Sequence, residues 1–383
     1  MLRNTAGPGS RTSGTPSHGE PPTANWAIRK AMRGVNFGGW FSQVDAIQEK
    51  DPATFVDLRT HIETFLLPAD FRRVKEWGFD HVRLPVDYFN VFEETSLRPT
   101  EPILDLLEVA IDGLTAAGLD IIFDLHKCPG HDFHAGARHA QEFFSNPVKR
   151  EECKRVWRYI AERFGSRANV ALELLNEPVA EQSADWDTVK DELSAHIRRY
   201  APHSKLVVGS NRWNNPKEFD HLTPLRDDNV VYSFHFYSPL LFTHQLAPWL
   251  DGEVFQARRP YPGDYAIAPG TEHRLPLEDG RWDRARMEHE LESVFRFRDK
   301  YQVPIACNEF GVFVGGANRV SQLKWMRDFV AILDEQGIGF SYWNYKNLDF
   351  GLVSRGESAF ADYPQYQNTE RVDHELAKLL LGT

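Results

Sequence analysis

From residue 32 onward the chain alternates short apolar runs with longer stretches of helical spacing, and it does so eight times. The expected strands cover residues 32–36, 81–84, 120–124, 170–174, 205–208, 230–234, 303–307 and 339–343. Between them, residues 69–77, 103–117, 147–164, 185–200, 285–301, 319–336 and 372–381 place apolar side chains three and four apart, the spacing of a helix that buries one face. A short helix follows Pro216. Pro85 and Pro178, which lack a backbone N–H, are expected to close the second and fourth strands. Pro178 also favours extended backbone at the residue before it, Glu177. Strand–helix alternation implies a parallel sheet, and eight units with no linker between them fit one (β/α)₈ barrel, α/β in class. A doubly wound sheet is the alternative. It calls for a glycine-rich phosphate turn after an early strand, and Phe37-Gly-Gly-Trp40 is not one.

The boundaries follow from composition. Residues 1–27 are rich in Gly, Pro, Ser and Thr and cannot bury enough surface to offset their ordering, so they read as a disordered tail ahead of a single domain at 28–383. About forty-five residues separate the sixth strand from Asp283, a length that usually serves function. Three cysteines, Cys128, Cys153 and Cys307, do not make a disulfide framework. No apolar run is long enough to cross a membrane, and the first residues turn polar at once. A cytoplasmic protein is the expectation, with an extracellular one open if a leader has been removed. The net charge of −11 without a basic run argues against nucleic acid and anionic membrane as partners. A neutral ligand suits that charge, and 13% aromatic residues suit a cleft that stacks sugar rings. A monomer is expected.

In such a barrel, chemistry sits where the strands end. Those positions carry Asn36, Arg83, His126, Asn176 with Glu177, Asn211 with Trp213, His235 with Tyr237, Glu309 and Trp343. Both glutamates follow an asparagine at the end of a short apolar strand: Leu175-Asn-Glu-Pro178 and Asn308-Glu-Phe-Gly311. Two carboxyl groups at one face suggest glycoside hydrolysis, which needs one protonated group to donate to the leaving oxygen and one ionised group to attack or to activate water. Arg83 and the Tyr237 hydroxyl both favour an ionised Glu309, making it the nucleophile and leaving Glu177 as the acid/base. A separation of about 5–5.5 Å between them would mean retention.

Plainer readings exist for each residue alone. Arg83 would pair with a structural acid, Asp87 or Asp124, because buried charges are paired. His126 and His235 would be hydrogen-bonded structural histidines and Trp343 core. Asp124 is expected in a polar layer beneath the site. His126, His131, His134 and His139 are dense enough to suggest a metal, but their loop lacks a regular ligand pattern, so no metal is expected. A Cys128–His126 nucleophile has nothing else in the site to support acyl transfer.

The chain resembles glycoside hydrolase family 5, of the clan of retaining (β/α)₈ glycosidases. The resemblance is carried by the two glutamate motifs and by Gly34-Val-Asn-Phe-Gly-Gly-Trp40, Gly78-Phe-Asp-His-Val-Arg-Leu-Pro85, Phe234-His-Phe-Tyr237, Phe242-Thr-His-Gln245, Tyr261-Pro-Gly263 and Trp343-Asn-Tyr-Lys346. It implies Glu177 as proton donor and Glu309 as nucleophile. It implies Asn176 on the sugar 2-hydroxyl, and Arg83, His126, His235 and Tyr237 in the same subsite with Trp343 as its floor. Trp249 becomes a more distant stacking platform. Asn36 and Trp213 complete the expected binding set, and no cofactor is implied.

The expected activity is a retaining endo-β-1,4-glucanase acting on soluble β-glucans, mixed-linkage β-1,3-1,4-glucan included. A β-mannanase or exo-β-glucanase is the alternative within that chemistry, since residues 34–40 also resemble the start of exo-β-1,3-glucanases. A non-catalytic glycan-binding barrel is the alternative of another class, and a metal-dependent hydrolase built on the histidine loop is a third.

Overall fold

Eight parallel strands close on themselves: β1 (Arg33–Asn36), β2 (His81–Asp87), β3 (Asp120–Lys127), β4 (Val170–Glu173), β5 (Lys205–Gly209), β6 (Val230–Phe236), β7 (Ile305–Phe310) and β8 (Gly339–Tyr342). Each pairs with its successor, and β8 returns to β1 through Arg33↔Phe340. This is the (β/α)₈ barrel expected from the alternation. The computed structural model describes residues 31–50, 55–134, 142–267, 270–271, 277–354 and 371–383; the expected tail at 1–27, and His139, lie outside them.

The helices start and stop where local chemistry dictates. In Pro68–Trp77 the proline opens the first turn, Asp70 Oδ2 accepts from the Leu67 N–H at 2.9 Å, and Gly78 ends the helix at φ 108°. Asn146 Oδ1 caps Pro147–Phe164 and Asn318 Oδ1 caps Arg319–Glu335. The expected helix at 285–301 is two, Arg284–Glu290 and Glu292–Tyr301. Their junction tightens into a bond from Leu291 N–H to Glu288 O, which apolar spacing does not announce.

Pro85 does not close β2, which runs on to Asp87. Arg83 O accepts from Phe37 N and Asp87 N donates to Phe41 O, so odd-numbered β2 residues face the β1 side. Pro85 therefore points its missing N–H where β1 has already ended, and no ladder bond is lost. The long sixth connection is not structureless either. It holds helix Leu240–Thr243 and a hairpin of Gly263–Tyr265 with Gly280–Trp282.

Two layers of side chains are separated by the barrel wall. Leu172, Leu206 and Phe234 pack outward under the helices, with Trp157 and Trp186 bonded to the strand-end carbonyls of Leu174 and Gly209. Inside, at the N-terminal end, lies a small plug of Ile122, Ala171, Val207 and Val231. Above that plug the interior turns polar.

Candidate active site

The polar interior is organised by one side chain. Arg83 rises from β2, is fully buried, and spends its donors on five neighbours. Nε donates to Glu173 Oε2 at 2.7 Å, and Nη2 reaches Glu173 Oε1 at 3.2 Å. Nη2 also donates to Asn176 Oδ1 at 2.7 Å and lies 3.0 Å from Asp124 Oδ2. Nη1 donates to Asn36 Oδ1 at 3.0 Å and to Glu309 Oε1 at 2.6 Å. The sequence offered Asp87 or Asp124 as the structural partner; Asp124 is, and Asp87 instead accepts from the Gln43 N–H at 2.7 Å. Glu173 was not anticipated. Its signal was present, since an acid alternating with Leu172 and Leu174 in a closed barrel must point inward with Ala171 and find a cation.

Two bulges aim the site's side chains. Between β2 and β3, Val86 pairs with Leu125 and Asp87 with Lys127, so His126 is the extra residue. Between β6 and β7, Phe234 pairs with Cys307 and His235 with Glu309, so Asn308 is extra. An unpaired residue breaks strict alternation, which lets Asn308 and Glu309 both face the interior although they are adjacent. Asn308 Nδ2 donates to Glu173 Oε2 at 3.0 Å. Glu177 does not take the extended backbone expected before Pro178. Its φ is 44°, a strained value for a non-glycine residue. The loop after β5 holds this turn: Trp213 N donates to Pro178 O, and Asn211 bonds both the N–H and the carbonyl of Ala180.

The turn brings Glu177 to Glu309. One ligand-capable atom each of Glu177, His235 and Glu309 lie within 4.8 Å of one another. His235 Nδ1 is 2.9 Å from Glu177 Oε1 and 3.6 Å from Glu309 Oε2, and the Tyr237 hydroxyl donates to Glu309 Oε2 at 3.0 Å. Burial and the facing Glu309 push the Glu177 carboxyl well above the usual range. Burial raises Glu309 to about 7 against the pull of Arg83 and Tyr237. Burial holds His126 and His235 neutral, with Arg83 adding to the effect.

Around the pair stand polar atoms with no hydrogen-bond partner among the described residues: Asn176 Nδ2, His126 Nε2 and His235 Nε2, all buried. His126 Nδ1 is bonded to Asp124 Oδ2 at 2.7 Å, which leaves Nε2 as an acceptor in the neutral ring. Trp343 stacks on His126 at 5.8 Å and 4°, beside Gly38. These groups gather in one layer at the C-terminal end of the barrel. Asn36 belongs beneath it, because Nδ2 donates to Asn308 O at 2.8 Å and Oδ1 accepts from Arg83. Trp213 is half-buried, its Nε1 donating to Phe133 O at 2.8 Å. Trp249 is 40% exposed, edge-on to Phe313 and His244, and His244 in turn packs on Tyr237.

Glu177, His235 and Glu309 form the one group among the described residues that could hold a metal ion. Arg83 already supplies Glu309 with a positive charge there. The histidine loop does not converge: His126 is bonded to Asp124, the buried His131 to Asn176 O, and His134 to Asp132. Cys128, Cys153 and Cys307 are free and buried.

Residues 47–349 match the family model of cellulase, glycosyl hydrolase family 5. The chain is 31% identical over 331 residues to endoglucanase C of Acetivibrio thermocellus, covering 84% of this chain and 93% of that one. It is 30% identical to cellodextrinase A of Ruminococcus flavefaciens over 87% and 88% of the two chains. The structure of endoglucanase Cel5A from Thermotoga maritima superposes with a TM-score of 0.68 at 21% identity, over 91% of this chain and 97% of that one.

Proposed function

The chain belongs to glycosyl hydrolase family 5 and is a glycoside hydrolase of the cellulase type, and from that premise we propose that it cleaves β-1,4-glucans internally, with retention at the anomeric carbon. The observation that carries this reading is the close pairing of Glu177 with Glu309 across His235. Inverting enzymes keep their carboxyl groups about 6.5–9.5 Å apart, retaining ones about 5–5.5 Å; here one oxygen of Glu177 lies within 4.8 Å of one oxygen of Glu309, which favours the shorter class.

Each residue then has a role. Glu309, ionised against Arg83 and Tyr237, attacks the anomeric carbon as Glu177 gives its proton to the departing glycosidic oxygen. The covalent glycosyl ester is hydrolysed by water that Glu177, now ionised, deprotonates. His235 donates from Nδ1 to Glu177 and orients it. Asn176 Nδ2 and the Nε2 atoms of His126 and His235 meet sugar hydroxyls, and Trp343 is the floor under the ring. Trp213 and Trp249 stack outer units of the chain. The substrates are soluble β-glucans, mixed-linkage β-1,3-1,4-glucan among them.

The test is product release from carboxymethyl cellulose, barley β-glucan, laminarin, glucomannan, mannan and xylan. Mixed short oligosaccharides from the first two, released as the β-anomer, are expected. Monosaccharide alone, or activity confined to laminarin or mannan, moves the assignment to the exo-glucanase or mannanase reading. For the mechanism, Glu309→Ala is expected inactive, and azide restores turnover with an α-glycosyl azide as product. No rescue on an activated substrate counts against the nucleophile.

A further inference from the structure

Glu173 is, with Asp124, one of two buried acids of the interior that the two-carboxylate mechanism does not use. It is fully buried on β4, and both of its oxygens are bonded within the protein, to Arg83 and Asn308. Its two oxygens take Arg83 side-on, at Nε and Nη2, the fork geometry that fixes the guanidinium plane as well as its position. With that edge held, Nη1 points at Glu309 and Nη2 at Asn176. Glu173 is anchored in turn by Asn308 Nδ2, and Asn308 is the bulged residue next to Glu309. The contacts therefore form a closed ring, from Glu309 to Arg83, to Glu173, to Asn308, and back to Glu309 through one peptide bond.

We propose that Glu173 is a positioning residue for the hydrolytic reaction: it clamps Arg83 so that one cation aligns the nucleophile Glu309 and the sugar-binding Asn176 together, and its charge governs how strongly Arg83 favours the ionised nucleophile. The proposal rests on the reading of Glu309 as nucleophile.

The charge argument has a definite sign. The groups facing this centre are Arg83 from β2, Asp124 and His126 from β3, Glu177 after β4, His235 from β6 with Tyr237 just after it, and Glu309 from β7. Both histidines are neutral, so among the described residues Arg83 is the cation shared by Asp124, Glu173 and Glu309. Burial raises Asp124 and Glu173 to about 7, as it does Glu309. Removing the anion at Glu173 leaves more of the Arg83 field for Glu309, which becomes the stronger acid. It also removes one of the charges that raise Glu177.

The experiment is Glu173→Gln, which keeps shape and removes charge, beside Glu173→Asp, which keeps charge but cannot span both Nε and Nη2. For E173Q, kcat on barley β-glucan should fall about 10- to 100-fold with KM little changed. Both limbs of the kcat/KM profile should move to lower pH by about half a unit to one unit. For E173D, kcat should fall while the limbs stay in place. Wild-type kcat in either variant, or a loss in E173Q with unshifted limbs, overturns the proposal, and E173D alone decides it if E173Q does not fold. Labelling of wild-type enzyme with an activated 2-deoxy-2-fluoroglucoside separates the two readings: a label found elsewhere than Glu309 sinks the nucleophile assignment, whatever the Glu173 variants do.

Discussion

Arg83 Nη1 lies 2.6 Å from Glu309 Oε1, with the arginine wholly buried and the glutamate nearly so. This contact is one of several that a planar fork makes at once, to Glu309, Asn36, Asn176, Glu173 and Asp124. A lysine at position 83 would offer three donors from a point and could not reproduce the plane. Arg83→Lys should lower kcat/KM on soluble β-glucan about 10²- to 10³-fold. It should also destabilise the fold by about 3–5 kcal/mol, since at least one buried carboxylate loses its partner. A lysine variant with near-normal turnover would mean that charge alone, without geometry, is what Glu309 needs.

The pH dependence follows from the two glutamates as a coupled pair. On the proposed mechanism Glu309 must be ionised, and burial raises its carboxyl to about 7, so activity should fall as pH drops through that value. On the same proposal Glu177 must carry its proton, and its carboxyl is raised by burial and by Glu309, so activity should fall again as pH rises past the upper value of the pair. A bell in kcat/KM with its acid limb near neutrality is expected. An acid limb at ordinary glutamate values would show that Arg83 and Tyr237 outweigh burial at Glu309.

Removing Glu177 should affect substrates unequally. Glycosides with good leaving groups need little protonation as they depart, so Glu177→Ala should keep the first step on a dinitrophenyl cellobioside and accumulate the covalent intermediate. On β-glucan the same variant should be about 10²- to 10⁴-fold slower. Comparable losses on both substrates would argue that Glu177 acts on something other than the leaving oxygen.

Much of this was legible beforehand because a (β/α)₈ barrel converts sequence order into spatial order. Once eight strands are counted, Asn36, Arg83, His126, Glu177, His235, Glu309 and Trp343 must come to one face. What escaped was backbone detail that periodicity does not encode. Pro85 reads as a stop unless one knows that β1 has already ended on that side. Glu177 reads as extended before Pro178, but the loop after β5 holds it at φ 44°. Asn308 reads as an ordinary neighbour of Glu309 until the β6–β7 register exposes the bulge. Glu173 was visible as an inward acid, but its partner lies two strands away, and only the closed barrel brings Arg83 to it.

Gly38 tests how the cleft floor is held. A Cβ built there would stand 2.6 Å from Cη2 of Trp343, a rigid ring that is itself stacked on His126. The ring cannot yield without tilting off His126, so Gly38→Ala should disturb the proposed sugar platform more than the fold. The expected result is a several-fold loss in kcat/KM with little change in Tm, and weaker quenching of tryptophan fluorescence by cello-oligosaccharide. Unaltered kinetics would place Trp343 outside the working subsite.

The last expectation concerns stability. The Glu177 carboxyl sits above its ordinary value of 4.5 because burial and Glu309 oppose its charge. A group whose folded value is raised leaves stability intact below the unfolded value and draws it down as pH climbs through the folded one. Glutamine at that position keeps an acceptor for His235 Nδ1 and carries no charge at any pH. Glu177→Gln should therefore match the wild type in Tm near pH 4 and exceed it above neutrality, by about 1–4 °C, roughly 1 kcal/mol for a chain of this size. The gap should widen with pH until the wild-type carboxyl is fully ionised. Such a gain would mark the acid as held in place at the expense of the fold, as expected of a group kept for reactivity. An equal Tm for the two proteins from pH 4 to pH 9 would mean that Glu177 is well solvated, and its capacity to hold a proton for the leaving oxygen would need another source.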